Sequence, residues 1–425
     1  MPAQPATPAA RRIAVAGIAV AVAGALTNAL GYLVPVIGAR QLTAADLSAL
    51  ATVLGLVAIA TVPGLGLQIA IAVHRARHGP TRTTRVGLAT AAVCAGTLAA
   101  LAIPLRMVLD LPVPYTLLAA GYTFATVLAG RWLGDLQGDQ RFLRLAAGMA
   151  ILAIGRYAGL IAALVLGADL TWCLVAATAS AWLIPPALSV IAIKSEKPAA
   201  SAARYRVLTA CSATLAMLVA SYADLLLARH LLHPDDSGAY SVGTVLTKGA
   251  LWAPQVVSVI ALPRLAQHGN TRTLRTALLL VAGWGTVLVA ASAVAGRFAM
   301  TLAGGPDYAH LAPYAPAFAA TGALYALVFV LINAQVAKSA RWPSAPLWLA
   351  CAALVVVAEF LAPHTVPGIM WSAVAAAVIA LALTTLMTTR TGTPPTPAPT
   401  ATTPSTRIAA THPAPAPTPT ESSPA

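Results

Sequence analysis

Ala39-Arg40-Gln41-Leu42 closes one long apolar run of the chain, and Ala228-Arg229-His230-Leu231 closes another in its second half. After the first copy come Asp46 and an apolar run interrupted by Pro63 that ends at His74-Arg75. After the second come Asp235-Asp236 and a run interrupted by Pro254 that ends at Pro263-Arg264. Order and spacing agree to within a few residues over two helix-length segments. A six-helix unit duplicated in the same orientation produces this pattern, with its halves standing side by side about a common axis.

The rest of the chain fits such a unit. With 59% hydrophobic residues, 9% charged residues and a mean hydropathy of +0.79, it is far more apolar than a water-soluble domain. A helix crossing a bilayer needs about 20 mainly apolar residues. By that rule there are twelve runs: Ile13 to Ile37, Leu50 to Val73, Val86 to Ile103, Tyr115 to Leu133, Leu143 to Leu166, Leu170 to Ile193, Val207 to Leu232, Ala239 to Leu262, Thr276 to Ala295, Leu311 to Ala334, Leu347 to Leu361 and Val366 to Thr388. The expected fold is an all-α polytopic membrane protein. It has about 12 transmembrane helices in two six-helix lobes, related by pseudo-two-fold symmetry around a central cavity. The boundaries are an N-terminal tail over 1–12, an N-lobe over 13–193, a linker over 194–206, a C-lobe over 207–388 and a Pro/Thr-rich, disordered tail over 389–425.

The first run is too long for a signal-peptide core and is followed by many more, so it is expected to be retained. Basic loops resist translocation. With the N-terminus inside, the cytoplasmic segments carry Arg11 and Arg12, then Arg75, Arg77, Arg82 and Arg85, then Arg141 and Arg144, then Lys194, Lys197, Arg204 and Arg206, then Arg264, Arg272 and Arg275, then Lys338 and Arg341, and finally Arg390 and Arg407. The opposite loops hold little beyond Arg40, Arg106, Arg229 and Arg297. This alternation places both termini in the cytoplasm and the chain in the plasma membrane as a multi-pass protein. It also accounts for the net charge of +14 without nucleic acid, because the charges are spread over short loops facing anionic headgroups.

Several common chemistries are absent. Cys94, Cys173, Cys211 and Cys351 fall inside apolar runs without paired spacing and read as small core residues. His74 and His78 stand four apart in an arginine-rich loop with no carboxylate or thiol nearby, a poor metal site. Gly64-Leu65-Gly66 after Pro63 interrupts a spanning run and lacks a following Lys-Ser/Thr, so it reads as a kink, not a nucleotide loop. No loop exceeds about fifteen residues, which leaves no room for a soluble catalytic domain. No cofactor, metal or enzymatic activity is expected.

Chemistry within the bilayer then falls to polar residues on the helices. Ionisable groups at that depth cost roughly 2.5–3.5 kcal/mol each on insertion scales and so face a bundle interior or a wet cavity. Asp224, Lys248 and Arg156 are the clearest. Counting from the run edges at 1.5 Å per residue, they lie at nearly the same depth, with Asp224 placed to pair with Lys248. On the eighth run Ser241, Thr244, Lys248, Gln255 and Ser258 follow three-, four- and seven-residue spacing and form one polar stripe. On the first run Gly17, Ala21, Gly24, Asn28 and Gly31 share a face, where small residues mainly let helices approach closely. Asn28 is the member of that face counted with the cavity. Gly155 and Gly159 beside Arg156 point to tight packing.

These residues bring a family into view. The chain resembles the polysaccharide exporters and lipid-linked oligosaccharide flippases of the multidrug/oligosaccharidyl-lipid/polysaccharide exporter superfamily, across about Ile13 to Thr388. The signatures are Leu136-Gln137-Gly138-Asp139-Gln140-Arg141-Phe142 between the fourth and fifth runs, followed by Arg156. With them go the repeated Ala-Arg-x-Leu turn, Asp224, Gly238-Ala239-Tyr240, Pro254, Pro263 and Gly305-Pro306-Asp307-Tyr308. The resemblance implies a central cavity opening alternately to either side, and a polyprenyl-pyrophosphate-linked glycan precursor as substrate for cell-surface polysaccharide synthesis. It also implies glycosyltransferases or a polymerase of the same pathway as partners. The dense set of cavity arginines of some peptidoglycan-precursor flippases is missing, which argues for a different glycan. The substrate residues expected are Lys248, Arg156, Asp224, Thr244, Ser241, Gln255 and Asn28. A cation-coupled antiporter of the same fold is the alternative, and it would need several cavity carboxylates where this sequence offers Asp224.

Overall fold

The computed structural model describes residues 8–79, 82–192, 204–252, 271–337 and 342–390, and no strand occurs among them. Helix occupies each of the twelve predicted runs. The first span is Pro8–Gln41; the second joins Ala44–Ala60 to Val62–His78; the third joins Thr84–Ala100 to Ala102–Leu109. The fourth is Val113–Gly138, the fifth Phe142–Val165, and the sixth joins Leu170–Trp182 to Ile184–Ile191. In the second half the seventh is Arg204–Leu231 and the eighth begins as Pro234–Trp252. The ninth is Thr271–Val294 with a short extension Gly296–Gly304, and the tenth is Ala315–Ala337 after a 3-10 stretch Pro306–Tyr314. The eleventh is Ala345–Val356 ending in a π turn Val357–Leu361, and the twelfth is Val366–Arg390. Among the described residues nine helices are long and apolar enough to cross a membrane, or ten if the third span, bent by 45° at its break, counts as one. The eleventh is too short for that measure, and the described part of the eighth carries Asp235, Asp236 and Lys248.

The breaks follow from proline, which has no N–H for the preceding turn and whose ring collides with the carbonyl four residues back. Pro63 stands at the start of the second piece of span two, just after the interruption at Thr61, and Pro185 and Pro186 do the same in span six. Pro35 lies inside span one.

Spans one to six pack chiefly on one another: one against five, two and three against four, and five against six. In the second half the tenth receives the eighth, ninth and twelfth, and the eleventh lies against the seventh and twelfth. Each half has its own apolar core, one around Leu50, Val53, Leu111, Leu160 and Leu164, the other around Met217, Val281, Tyr325, Val328 and Leu347. A third cluster belongs to both: Ala39 and Leu47 meet Leu225, Ala228, Tyr240 and Phe318 at the end of the bundle away from the chain termini.

At that far end each arginine of the repeated turn crosses to the opposite lobe. Arg40 Nη2 donates to the Leu302 carbonyl at 3.3 Å. Arg229 donates through Nε to Leu109 O at 3.0 Å, through Nη1 to Ala45 O at 3.3 Å and through Nη2 to Asp110 O at 3.2 Å. Leu109 and Asp110 end span three, and Leu302 lies in the extension of span nine, so the two contacts are reciprocal, as two-fold-related units require. The Ser48 and Ser237 hydroxyls bond to each other at the same level. His230 Nδ1 meets Val108 O at 2.6 Å. Gly238 makes this closure possible, because a Cβ there would fall 2.3 Å from the Ala44 carbonyl oxygen. Thr43 caps span two, and Asp46, the acidic residue downstream of the first turn, completes the cap: its amide donates to Thr43 Oγ1 at 3.2 Å, and that hydroxyl donates to its carboxylate at 2.8 Å.

The turn of Leu136 to Phe142 braces the opposite end of the first half. Arg75 donates from Nε to Asp139 at 2.6 Å and from Nη1 to Asp135 at 3.0 Å, with its side chain 4% exposed. Gln68 Nε2 donates to Gln137 Oε1 at 2.9 Å. Gln140 takes a left-handed φ of 56°, which lets the chain reverse directly into span five. By charge alone Arg75 read as one loop cation among several; the structure assigns it to the junction of spans two and four.

Candidate functional site

Below the far-end contacts a cavity of about 320 Å³ lies between the lobes, lined from spans one, two and five of the first half and seven and eight of the second. Its polar lining comprises Thr27, Asn28 and Tyr32, Thr61, Arg156 and Tyr157, Tyr222, and Ser241, Thr244 and Lys248. Five of the seven sequence-derived candidates therefore converge: Asn28, Arg156, Ser241, Thr244 and Lys248. Gln255 lies outside the described residues, as do Ser258, Pro254 and Pro263.

The eighth-span stripe faces inward as its spacing predicts. Ser241 Oγ donates to Ser237 O at 2.9 Å and Thr244 Oγ1 to Ser241 O at 2.7 Å. Each hydroxyl proton is thus spent within its own helix, and the oxygens keep lone pairs toward the cavity. Lys248 Nζ donates to the Ser221 carbonyl at 2.6 Å and stands 3.0 Å from the centre of the Tyr222 ring. Its own carbonyl accepts a 2.8 Å bond from the Tyr32 hydroxyl across the lobe boundary.

Arg156 enters from the first half. Its Nε donates to the Tyr122 hydroxyl at 3.3 Å, that hydroxyl donates to the Arg156 carbonyl at 3.1 Å, and the guanidinium lies 5.3 Å from the Tyr157 ring centre. The neighbouring glycines pack as expected: a Cβ on Gly159 would fall 2.2 Å from Ala176 O, so span five sits directly on span six and Arg156 is turned to the other face.

Two expectations need correction. Asp224 is buried, 4% exposed, and is not among the residues that line the cavity; it accepts the Tyr240 hydroxyl at 3.0 Å and makes no direct ion pair with Lys248 within 4 Å, although the two charges still act on each other through space. The reason is helix register. Span eight starts at Pro234, not near Ala239, so Lys248 lies about four turns in, while Asp224 is only about two turns from the Leu231 end. The ammonium accordingly reaches the level of Ser221 and Tyr222. The close-packing reading of the span-one glycines also fails at Gly17 and Gly24, where a Cβ would meet nothing within 4 Å; Gly31 alone of the three faces a neighbour, the Tyr157 hydroxyl.

Sequence reasoning missed Tyr32, Tyr157 and Tyr222. An aromatic residue in an apolar run looks the same whether it meets lipid, core or cavity, so no local signal marks it. With Asp224 withdrawn, the lining holds two cations and, among the described residues, no carboxylate.

No family model matches the chain, and no curated protein matches it. Solved structures do. The lipid II flippase MurJ in an inward closed conformation superposes with a TM-score of 0.64 at 13% identity, over 88% of this chain and 87% of that one. A multidrug resistance MATE family transporter of the MOP superfamily, inward-facing, gives 0.56 at 12% identity, over 86% and 94%. The chain has the fold of the MOP superfamily. A third member of that fold, from Pyrococcus furiosus, gives 0.54 at 14% identity over 88% and 95%, and is described as having a binding pocket of reverse polarity that suggests a different function. The twelve-helix architecture expected from the repeat is thereby borne out.

Proposed function

We propose that the protein is an alternating-access translocator that carries an anionic, polyprenyl-pyrophosphate-linked oligosaccharide across the plasma membrane for cell-surface polysaccharide synthesis. The observation that carries this reading is the lining of the interlobe cavity: Arg156 from one half, Lys248 from the other, and no carboxylate among the described lining residues. Two desolvated cations are expensive at bilayer depth, and a pyrophosphate offsets that cost through charge-assisted hydrogen bonds. For sugar, the Ser241 and Thr244 oxygens supply acceptors and the Asn28 amide a donor and an acceptor. With both termini cytoplasmic, the far-end contacts lie on the outer face and close the cavity toward the outside. Two negative charges moving outward across an inside-negative potential of about 100 mV gain roughly 4.6 kcal/mol, which favours export. Glycosyltransferases or a polymerase of the pathway are the partners this reading calls for.

The fold neighbours described as multidrug transporters favour a second reading, cation-coupled antiport. That mechanism needs exchangeable carboxylates in the cavity, and Asp224, bonded to the Tyr240 hydroxyl, is not among the described lining residues. Export of surface glycan by Lys248→Ala and Arg156→Ala, with membrane insertion checked in parallel, decides between them. Loss of export in both variants supports the flippase reading; wild-type export by both removes these residues from the mechanism. Drug resistance on overexpression without any change in surface glycan would favour antiport.

A further inference from the structure

Lys248 already has ligands inside the protein. The Ser221 carbonyl takes one proton of its ammonium at 2.6 Å and the Tyr222 ring covers it at 3.0 Å, while the buried Asp224 carboxylate acts on its charge without touching it. Tyr222 is itself wedged across the lobe boundary: a Cβ on Gly55 of span two would fall 2.8 Å from its Cδ1. The backbone of Lys248 is tied to the first half as well, through Tyr32. The cation that faces the cavity from span eight therefore sits where several contacts between the lobes converge.

We propose that Tyr222 and the Ser221 carbonyl form an internal counter-site for Lys248, which a substrate must outcompete, so that Tyr222 sets the charge a head group needs to engage the cavity. The inference rests on the reading of the cavity as an anion site. A neutral sugar hydroxyl offers the ammonium an acceptor no better than the carbonyl it already has, and it brings nothing to replace the ring. A phosphate oxygen forms a charge-assisted bond about twice as strong as a neutral one and does displace the pair. A ligand that draws Nζ away also frees from the cation the ring that packs against Gly55, which links occupancy to the packing between spans two and seven. Tyr222 acts here through Lys248, as a positioning residue.

The test uses the full-length protein in lipid nanodiscs, with inorganic pyrophosphate and sucrose as probes in titration calorimetry. Removing the ring in Tyr222→Leu should tighten pyrophosphate binding by roughly 5- to 30-fold, the worth of a partly desolvated cation–π contact, and should not tighten sucrose binding. Tyr222→Phe should restore the wild-type ratio of the two affinities. Gly55→Ala, whose methyl displaces the ring by another route, should shift pyrophosphate binding in the same direction as Tyr222→Leu and keeps the question answerable if that variant does not fold. Equal pyrophosphate affinity in wild type, Tyr222→Leu and Gly55→Ala overturns the proposal and leaves the anion site intact; weakening of both probes together overturns it as well, because it assigns Tyr222 a purely structural role. Failure of wild type to bind pyrophosphate at all, with Lys248→Ala no different, overturns the anion-site reading and this proposal with it.

Discussion

Replacing Arg229 with alanine should open the far end of the bundle, and much more so than replacing Arg40. Arg229 makes three hydrogen bonds to carbonyls of the opposite lobe, two of them partly buried, whereas Arg40 makes a single exposed one at 3.3 Å. A charge-assisted bond contributes about 1.5–3 kcal/mol when well desolvated, and exposure reduces this to about 0.5–1 kcal/mol per bond here. The three together give about 1.5–3 kcal/mol, or a 10- to 150-fold shift in the closed-to-open ratio. Arg40→Ala should shift it by no more than about 5-fold on the same scale. Spin labels at exposed Met107 and Phe298, on the span-three end and the span-nine extension, report the separation of the lobes by pulsed dipolar spectroscopy in a background with the native cysteines replaced. The long-distance population should grow strongly in Arg229→Ala and slightly in Arg40→Ala. An unchanged distribution in Arg229→Ala, or an equal response in the two variants, refutes the view that these bonds hold the closure.

Gly238→Val should prevent that closure sterically, since its Cβ has no room beside Ala44 O; the same label pair should show the open population and glycan export should fall, and a wild-type distance distribution would contradict this. Arg75→Ala leaves Asp135 and Asp139 facing each other without their shared cation, and removing one partner of a buried pair costs about 3–5 kcal/mol. Thermal unfolding in detergent should fall markedly for that variant, and by much less for Arg141→Ala, whose contact to Asp139 is 3.8 Å and exposed. Asp224→Asn preserves an acceptor for the Tyr240 hydroxyl and should retain glycan export, whereas a carboxylate-coupled antiporter would lose transport with the same substitution.

Much of the local structure could be read from the chain directly. Among the described residues helix stands in each of the twelve apolar runs, because a backbone without water as partner must satisfy its own hydrogen bonds, and only helix does that within one segment. Pro63 broke span two where it stood. The period of Ser241, Thr244 and Lys248 put all three on one side of span eight, and that side lines the cavity. The duplicated turn announced two related halves before any contact was known.

Partnership across the bundle was a different matter. Arg40 and Arg229 look in sequence like the few stray cations of the outer loops, and nothing near them says that each will reach a carbonyl of the other half. Asp224 and Lys248 seemed level until the true start of span eight at Pro234 carried the lysine deeper, to Ser221 and Tyr222. Hydropathy and helical period act over one element and are therefore written into the sequence itself. Which side chains meet depends on where each helix begins and how two lobes rotate against one another, so a shift of a single turn, about 5.4 Å, is enough to exchange one partner for another, and only the folded molecule decides it.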